Sequence, residues 1–195
     1  MNRFFRAIAL VLLVCLTVPA FAADPYKVDL THSNINFSIR HIFSQVSGRF
    51  TKFSGTVTFD PLLLEKLAVD ITIQASSINT DNERRDGHLR GADFFQTDSF
   101  PTITFKSTKA YKSEKGLFVE GNLTMRGVTK PVTVPFEILG VGGEPGKMVA
   151  GFAASFRINR KDFGITWNRT IDQGGMVLGD DVDIHVGIEA RYELQ

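Results

Sequence analysis

The sequence predicts an all-β protein: a closed antiparallel barrel of about eight strands, with one short helix inserted between two of them. Three observations lead there. Apolar and polar residues alternate at period two along most of the chain. Short Gly-, Pro- and Asp-bearing turns separate the runs, as up-and-down antiparallel order requires. One stretch, Thr80–Phe95, abandons the alternation and carries helix-end signals instead. A sheet with one apolar face must bury it, and closure does so while removing the sheet edges. Two packed sheets are the alternative architecture.

The first segment stands outside the fold. Arg3 and Arg6, the apolar run Ala7–Val18 and the A-x-A sequence Ala20–Ala22 form an export signal, cleaved after Ala22. The run is too short to span a membrane, which takes roughly 20 residues. The mature chain is then one domain, 23–195, directed to the periplasm. Cys15, the only cysteine, lies in the leader, so thiol and disulfide chemistry leave with it. The remaining 20 basic and 21 acidic residues offer no charge excess for nucleic acid, and no later run is long enough to cross a membrane.

Strand alternation opens at Tyr26, Val28 and Leu30, then continues through Ile35, Phe37 and Ile39. His41 falls on the apolar parity of that strand. Phe50 and the set Phe53, Gly55, Val57 and Phe59 differ in parity, which places a bulge near Lys52. Val69, Ile71 and Ile73 form the next strand. After Pro101 come Ile103 and Phe105, then a hairpin turn at Lys112–Gly116, Leu117–Met125, a turn at Arg126-Gly127, and Val132–Ile138. A turn at Gly142–Gly146 leads to Phe152, Ala154, Phe156 and Ile158. In the last strand Val182, Ile184, Val186, Ile188, Ala190 and Tyr192 share one face.

Within Thr80–Phe95, seven ionisable residues occupy the ten positions from Asp81 to Arg90. Thr80 and Glu83 have capping-box spacing, Asp86 and Arg90 are placed for an i, i+4 pair, and Gly91 suits a left-handed stop. The helix then delivers Phe94 and Phe95 towards something apolar. Its polar group reads either as a solvated face or as a polar mouth over an apolar cavity. Arg157–Trp167 reads either as a strand end rolling into an ordered loop or as a second wall of that mouth, with the indole at a half-wet site.

Chemistry-bearing motifs are scarce. No H-x-x-x-H or C-x-x-C pair offers a metal site, no G-x-S-x-G elbow a nucleophile, and no P-loop or dinucleotide motif a cofactor site. His185 has outward parity, and His32 sits in a loop. Fourteen of the seventeen phenylalanines lie in the mature chain, against one tryptophan and three tyrosines. A side chain without a polar handle serves to line or fill an interior.

Taken together, SNINFSIRH (Ser33–His41), SGRFTKFSGTVTFD (Ser47–Asp60), RDGHLRGADFF (Arg85–Phe95), FPTITFKS (Phe100–Ser107), GNLTMRGVTKPVTV (Gly121–Val134), RKDFGI (Arg160–Ile165) and GDDVDIHVGIEA (Gly179–Ala190) resemble the YceI-like family. The likeness runs in order through essentially all of the mature chain; Gly91 departs from it, standing where the family more often has serine. The resemblance implies a lipocalin-like barrel, exported, with an isoprenoid or other long-chain lipid in an interior pore, and homodimers as an assembly known in the family. The G-x-W signature of true lipocalins is absent.

With that implication, the lining is assigned to Phe37, Ile39, Phe53, Phe59 and Ile73 in the first half. Phe94, Phe95, Phe105, Phe136, Phe152 and Phe156 complete it. Headgroup contact is assigned to His41, Arg85, His88 and Trp167. Two alternatives stand beside the carrier: an enzyme using Asp86, His88 and His41 for acid–base work on a lipid, and a filled barrel acting through its surface as a stress-related interaction module.

Overall fold

The computed structural model describes residues 25–170 and 175–193; the expected leader and its cleavage site lie outside them. The strands are β1 (Pro25–Val28), β2 (Asn34–His41), β3 (Ser44–Phe50), β4 (Phe53–Thr58), β5 (Ala68–Gln74) and β6 (Ile78–Asn79). After the helix α1 (Glu83–Arg90) come β7 (Thr102–Ser113), β8 (Gly116–Met125), β9 (Val128–Glu144), β10 (Lys147–Asn159) and β11 (Leu178–Glu193).

Every pairing is antiparallel, and β11 meets β1 to close the sheet. The eleven segments make eight barrel staves, because the first three staves are each interrupted. β1 and β2 lie end to end against β11, β3 and β4 form one bent stave, and β5 and β6 form the next. The result is an up-and-down barrel of eight strands. The two-sheet alternative is thereby excluded.

The interruption at Thr51-Lys52 accounts for the parity change between Phe50 and Phe53. Ser77, buried in the facing 3-10 turn Ala75–Ser77, stitches it. Its carbonyl accepts from the Thr51 amide at 3.2 Å, and its hydroxyl accepts from the Lys52 amide at 3.1 Å. A bend that leaves no backbone group stranded costs little, so the sheet can curl here. Two smaller expectations change. Leu30 lies past the end of β1 and is exposed, and Gly142 and Gly143 belong to β9, leaving Pro145-Gly146 as the turn.

The inward residues form one contiguous core, from Tyr26 through Phe59, Phe136 and Phe152 to Ala190. Because consecutive staves run in opposite directions, the connections sort into two ends. The β2–β3 hairpin, α1 with its following loop, the turn at Arg126-Gly127 and the segment after β10 share one end. The crossing Asp60–Leu67 and the β7–β8 and β9–β10 turns share the other. Among the described residues no helix is long and apolar enough to cross a membrane.

Candidate lipid-binding cavity

A cavity of about 390 Å3 occupies the barrel interior, so the barrel is not filled by its own side chains. That size falls within the range of small-molecule sites. Its wall follows from period two: residues of one parity from β2 to β5 and from β7 to β11 point to the axis. Phe37, Ile39, Ile73, Phe105, Phe136, Phe152 and Phe156 line it, joined from the lid segment by Phe94 and Phe95.

Phe53 and Phe59 do not line it. Phe53 is the first residue after the stave break and is buried in the surrounding core. Phe59 lies beyond the end of β4 and meets Phe152 edge-on at 5.2 Å, below the cavity wall. The aliphatic side of the lining went unassigned from sequence: Ile184, Val186 and Ile188 of β11, with Leu123 and Met125 of β8. Their alternation marks them as inward, but alternation alone does not tell a residue that meets ligand space from one that meets other side chains.

His41, Arg85, His88 and Trp167 reach the cavity too, all at the end that carries α1. His88, Phe94 and Trp167 form an aromatic triangle: His88 stands edge-on to Phe94 at 5.0 Å and to Trp167 at 5.2 Å, and Phe94 and Trp167 are 5.3 Å apart. His88 Nε2 lies 2.8 Å from Asp93 Oδ2, and the Arg169 guanidinium sits 5.7 Å from the indole ring centre. His88 is half exposed while its neighbour Phe94 is buried, so this triangle marks the boundary between water and the cavity.

The charges of α1 prove largely structural. Asn82, not Thr80, caps the helix, accepting from the Arg85 amide at 3.0 Å. Thr80 instead faces Asp86, whose Oδ1 accepts from the Thr80 amide at 2.9 Å and from its hydroxyl at 2.5 Å. Asp86 is therefore buried, and the expected Asp86–Arg90 pair does not form. Arg90 donates to the carbonyls of Ser76 and Ile78, and Arg85 to the Thr80 hydroxyl and carbonyl. β6 has only two residues and pairs on one edge with β3, and side chains of α1 take up Ile78 O and the backbone groups of Ser76 and Thr80 that flank it. Gly91 ends the helix with extended φ −74°, ψ 178°, because its carbonyl must turn to accept from the Phe94 and Gln96 amides.

Of the trio proposed for acid–base chemistry, His41 and His88 both line the cavity. The carboxylate beside His88 is that of Asp93, while Asp86 is held by Thr80.

Arg160 holds the segment after β10 together, a role that its position in the sequence does not mark. It is 3% exposed, lines the cavity and donates to Gly179 O, Ile165 O and Trp167 O at 2.8 Å each. Asp180 accepts from it at 3.2 Å. Burial pulls its guanidinium below the ordinary value and Asp180 opposes the shift. Gly164, at φ 73°, ends the 3-10 turn Arg160–Phe163 in the left-handed region. Arg126 then ties the end together, donating to the carbonyls of Gly164 and Ala92.

His185 is exposed and meets the Ser155 hydroxyl at 3.0 Å, as its outward parity predicts. His32 belongs to a surface cluster with Asp29 and Glu189, which among the described residues is the one grouping with metal-ligand geometry. Arg191 already supplies the cation there, 2.7 Å from Asp29 Oδ2 and 2.9 Å from Glu189 Oε1.

Comparison with known proteins agrees with this architecture. A protein of Enterobacter sp. (strain 638), designated a UPF0312 protein, is 42% identical over 193 residues, 97% of each chain. The crystal structure of Burkholderia cenocepacia BcnA superposes with TM-score 0.71 at 26% identity, covering 84% of this chain and 99% of that one. A polyisoprenoid binding domain from Saccharophagus degradans shares the fold at TM-score 0.64 and 15% identity, over 86% of this chain and 98% of its own. The model of the YceI-like domain matches residues 26–190, and the chain belongs to the YceI-like family.

Proposed function

We propose that the protein is an exported, periplasmic carrier or store for an isoprenoid-like lipid, a polyprenyl chain or quinone precursor, held without any covalent step. The observation that carries this reading is the cavity itself: an apolar tube inside the barrel whose His41, Arg85 and His88 lie at one end. Burying a long hydrocarbon there supplies about 25 cal/mol per Å2 before ordering costs, and a chain needs no further chemistry to be retained. Arg160, the other charged side chain on the wall, is already committed to four acceptors.

The polar lining also favours one kind of headgroup. Asn36, His41, Thr80, Arg85, His88 and Arg160 contribute to the wall, and among the described residues no carboxylate does. A phosphate, carboxylate or carbonyl acceptor would be matched there; an amine would not. The fold shared with a domain described as polyisoprenoid binding supports a lipid ligand without identifying it.

The test is native mass spectrometry and lipid extraction of protein purified from its own periplasm, followed by titration with a polyprenyl phosphate. Trp167 is the single tryptophan, so its fluorescence reports entry directly. Read by native mass spectrometry, binding should weaken about tenfold in Trp167→Ala, the loss expected for much of one apolar contact surface. Protein free of lipid from its source, with no response to added ligand, would overturn the reading.

A further inference from the structure

The β2–β3 hairpin turns at Ile42-Phe43, between the paired residues His41 and Ser44. Two-residue hairpin turns favour Gly, Asn or Asp, because one or both central residues need positive φ. Here Ile42 holds φ 52°, a conformation that β-branched residues rarely adopt. Its neighbour Phe43 is 96% exposed. The turn is thus unfavourable twice, in backbone conformation and in hydration, and Asn-Gly would remove both costs. Such an arrangement points to a role outside the folding of the hairpin.

Its surroundings identify the partner. Ile42 N–H donates to Val177 O at 2.7 Å, and Val177 N–H to Arg169 O at 2.9 Å, which sets the tip beside the segment carrying Trp167. Met176, next to Val177, is 42% exposed. Arg40 donates to Ile42 O at 3.0 Å, so its guanidinium lies at the tip. Neither Arg40 nor Arg169 is in an ion pair among the described residues, whereas Arg49, Arg157 and Arg191 all are. Just below the tip, Ile39, His41, Val46 and Leu178 line the cavity. An apolar tip flanked by arginines that have no carboxylate partner among the described residues, at the mouth of a lipid cavity, matches a bilayer surface carrying anionic headgroups.

We propose that this tip, Ile42-Phe43 with Met176, Arg40 and Arg169, docks the mouth of the barrel onto an anionic membrane surface. Phe43 enters the headgroup–acyl boundary, the arginines meet lipid phosphates, and the cavity then opens towards the bilayer. The inference gains its purpose from the lipid-carrier reading, but vesicle binding and cavity binding are measured separately, so either can fail alone.

The experiment is co-sedimentation of the mature protein with phosphatidylglycerol-containing vesicles and with vesicles of phosphatidylcholine alone, while Trp167 fluorescence reads cavity binding of polyprenyl phosphate in vesicle-free buffer. Wild type should bind the anionic vesicles more tightly, and Phe43→Ser should lose about tenfold in partitioning with cavity binding unchanged. Arg40→Gln with Arg169→Gln should lose about tenfold on anionic vesicles and little on neutral ones. Leu62 is 89% exposed at the opposite end, and Leu62→Ser should bind as wild type does. Absence of vesicle binding, full binding by Phe43→Ser, or an equal loss in Leu62→Ser would each overturn the proposal. Loss of cavity binding alone would count against the carrier reading and leave the docking surface standing.

Discussion

At one end of the barrel Phe59 and Leu67 are 4% and 5% exposed, whereas at the other the cavity-lining His88 is 46% exposed. The first end is plugged by hydrocarbon, with the Phe59 ring edge-on to Phe152. The second is held by hydrogen bonds from Arg85, Arg90, Arg126 and Arg160 to backbone carbonyls. Apolar packing seals an end because it leaves nothing to hydrate. A scaffold of guanidinium–carbonyl bonds can hold loops apart around an opening, since each long side chain spans a gap and satisfies an otherwise stranded oxygen. The difference teaches where stability and where access are placed in this fold.

The largest expected effect lies at the plugged end. Phe59→Ala should cost about 3–5 kcal/mol in urea unfolding, through lost transfer energy and the void left beside Phe152. Cavity binding should survive it where the fold does, because Phe59 is not part of the wall. A loss below about 1 kcal/mol would mean that this end is not sealed by packing.

At the open end Arg160→Leu should cost about 3 kcal/mol, since it strands the carbonyls of Gly179, Ile165 and Trp167 and leaves Asp180 with Lys161 alone. Unlike Phe59→Ala, it should also broaden the Trp167 emission and weaken ligand binding, because the indole segment loses its anchor. Equal behaviour of the two variants would erase the contrast between the ends.

The smallest effect concerns the seam where the barrel closes, between β1 and β11. The Asp29 carboxyl is held down to about 2, first by the His32 imidazole and then by the Thr31 amide, with the charge of Arg191 assisting. A depressed carboxylate contributes stability above its unfolded value, near 4, that is lost as pH falls towards 2. Asp29→Asn should therefore be slightly less stable than wild type at neutral pH, and the difference should shrink as pH falls from about 4 and vanish below about 2. The measurement is thermal unfolding across that window; a constant offset at all pH values would remove Asp29 from the account.

Parts of this molecule were legible in its sequence because they depend on local periodicity. The alternation of β10 and β11, Phe152 to Ile158 and Val182 to Tyr192, reads directly as one buried face, and the parity change at Lys52 marks the stave break. The same rule misleads at Phe43. It shares the parity of Ile39 and His41, which face inward, yet the turn at Ile42 reverses the chain and turns the ring out. Periodicity carries no information past a reversal.

By itself, then, the sequence determined the strand pattern, the apolar face that must be buried, and the family likeness that the comparisons confirm, while the pairing of β11 with β1 decided for a closed barrel over two packed sheets. Only the tertiary structure decided what the charges of α1 do. Asp86 and Arg90 have helical spacing for each other, but the backbone in and around the two-residue strand β6, the carbonyls of Ser76 and Ile78 and the Thr80 amide, supplies their partners instead. Those groups come from another part of the chain, and a pairing set by long-range proximity leaves no mark in local spacing. The same holds for the cavity wall: which inward residues meet ligand space and which meet one another, as Phe59 meets Phe152, depends on where the staves bend and cross.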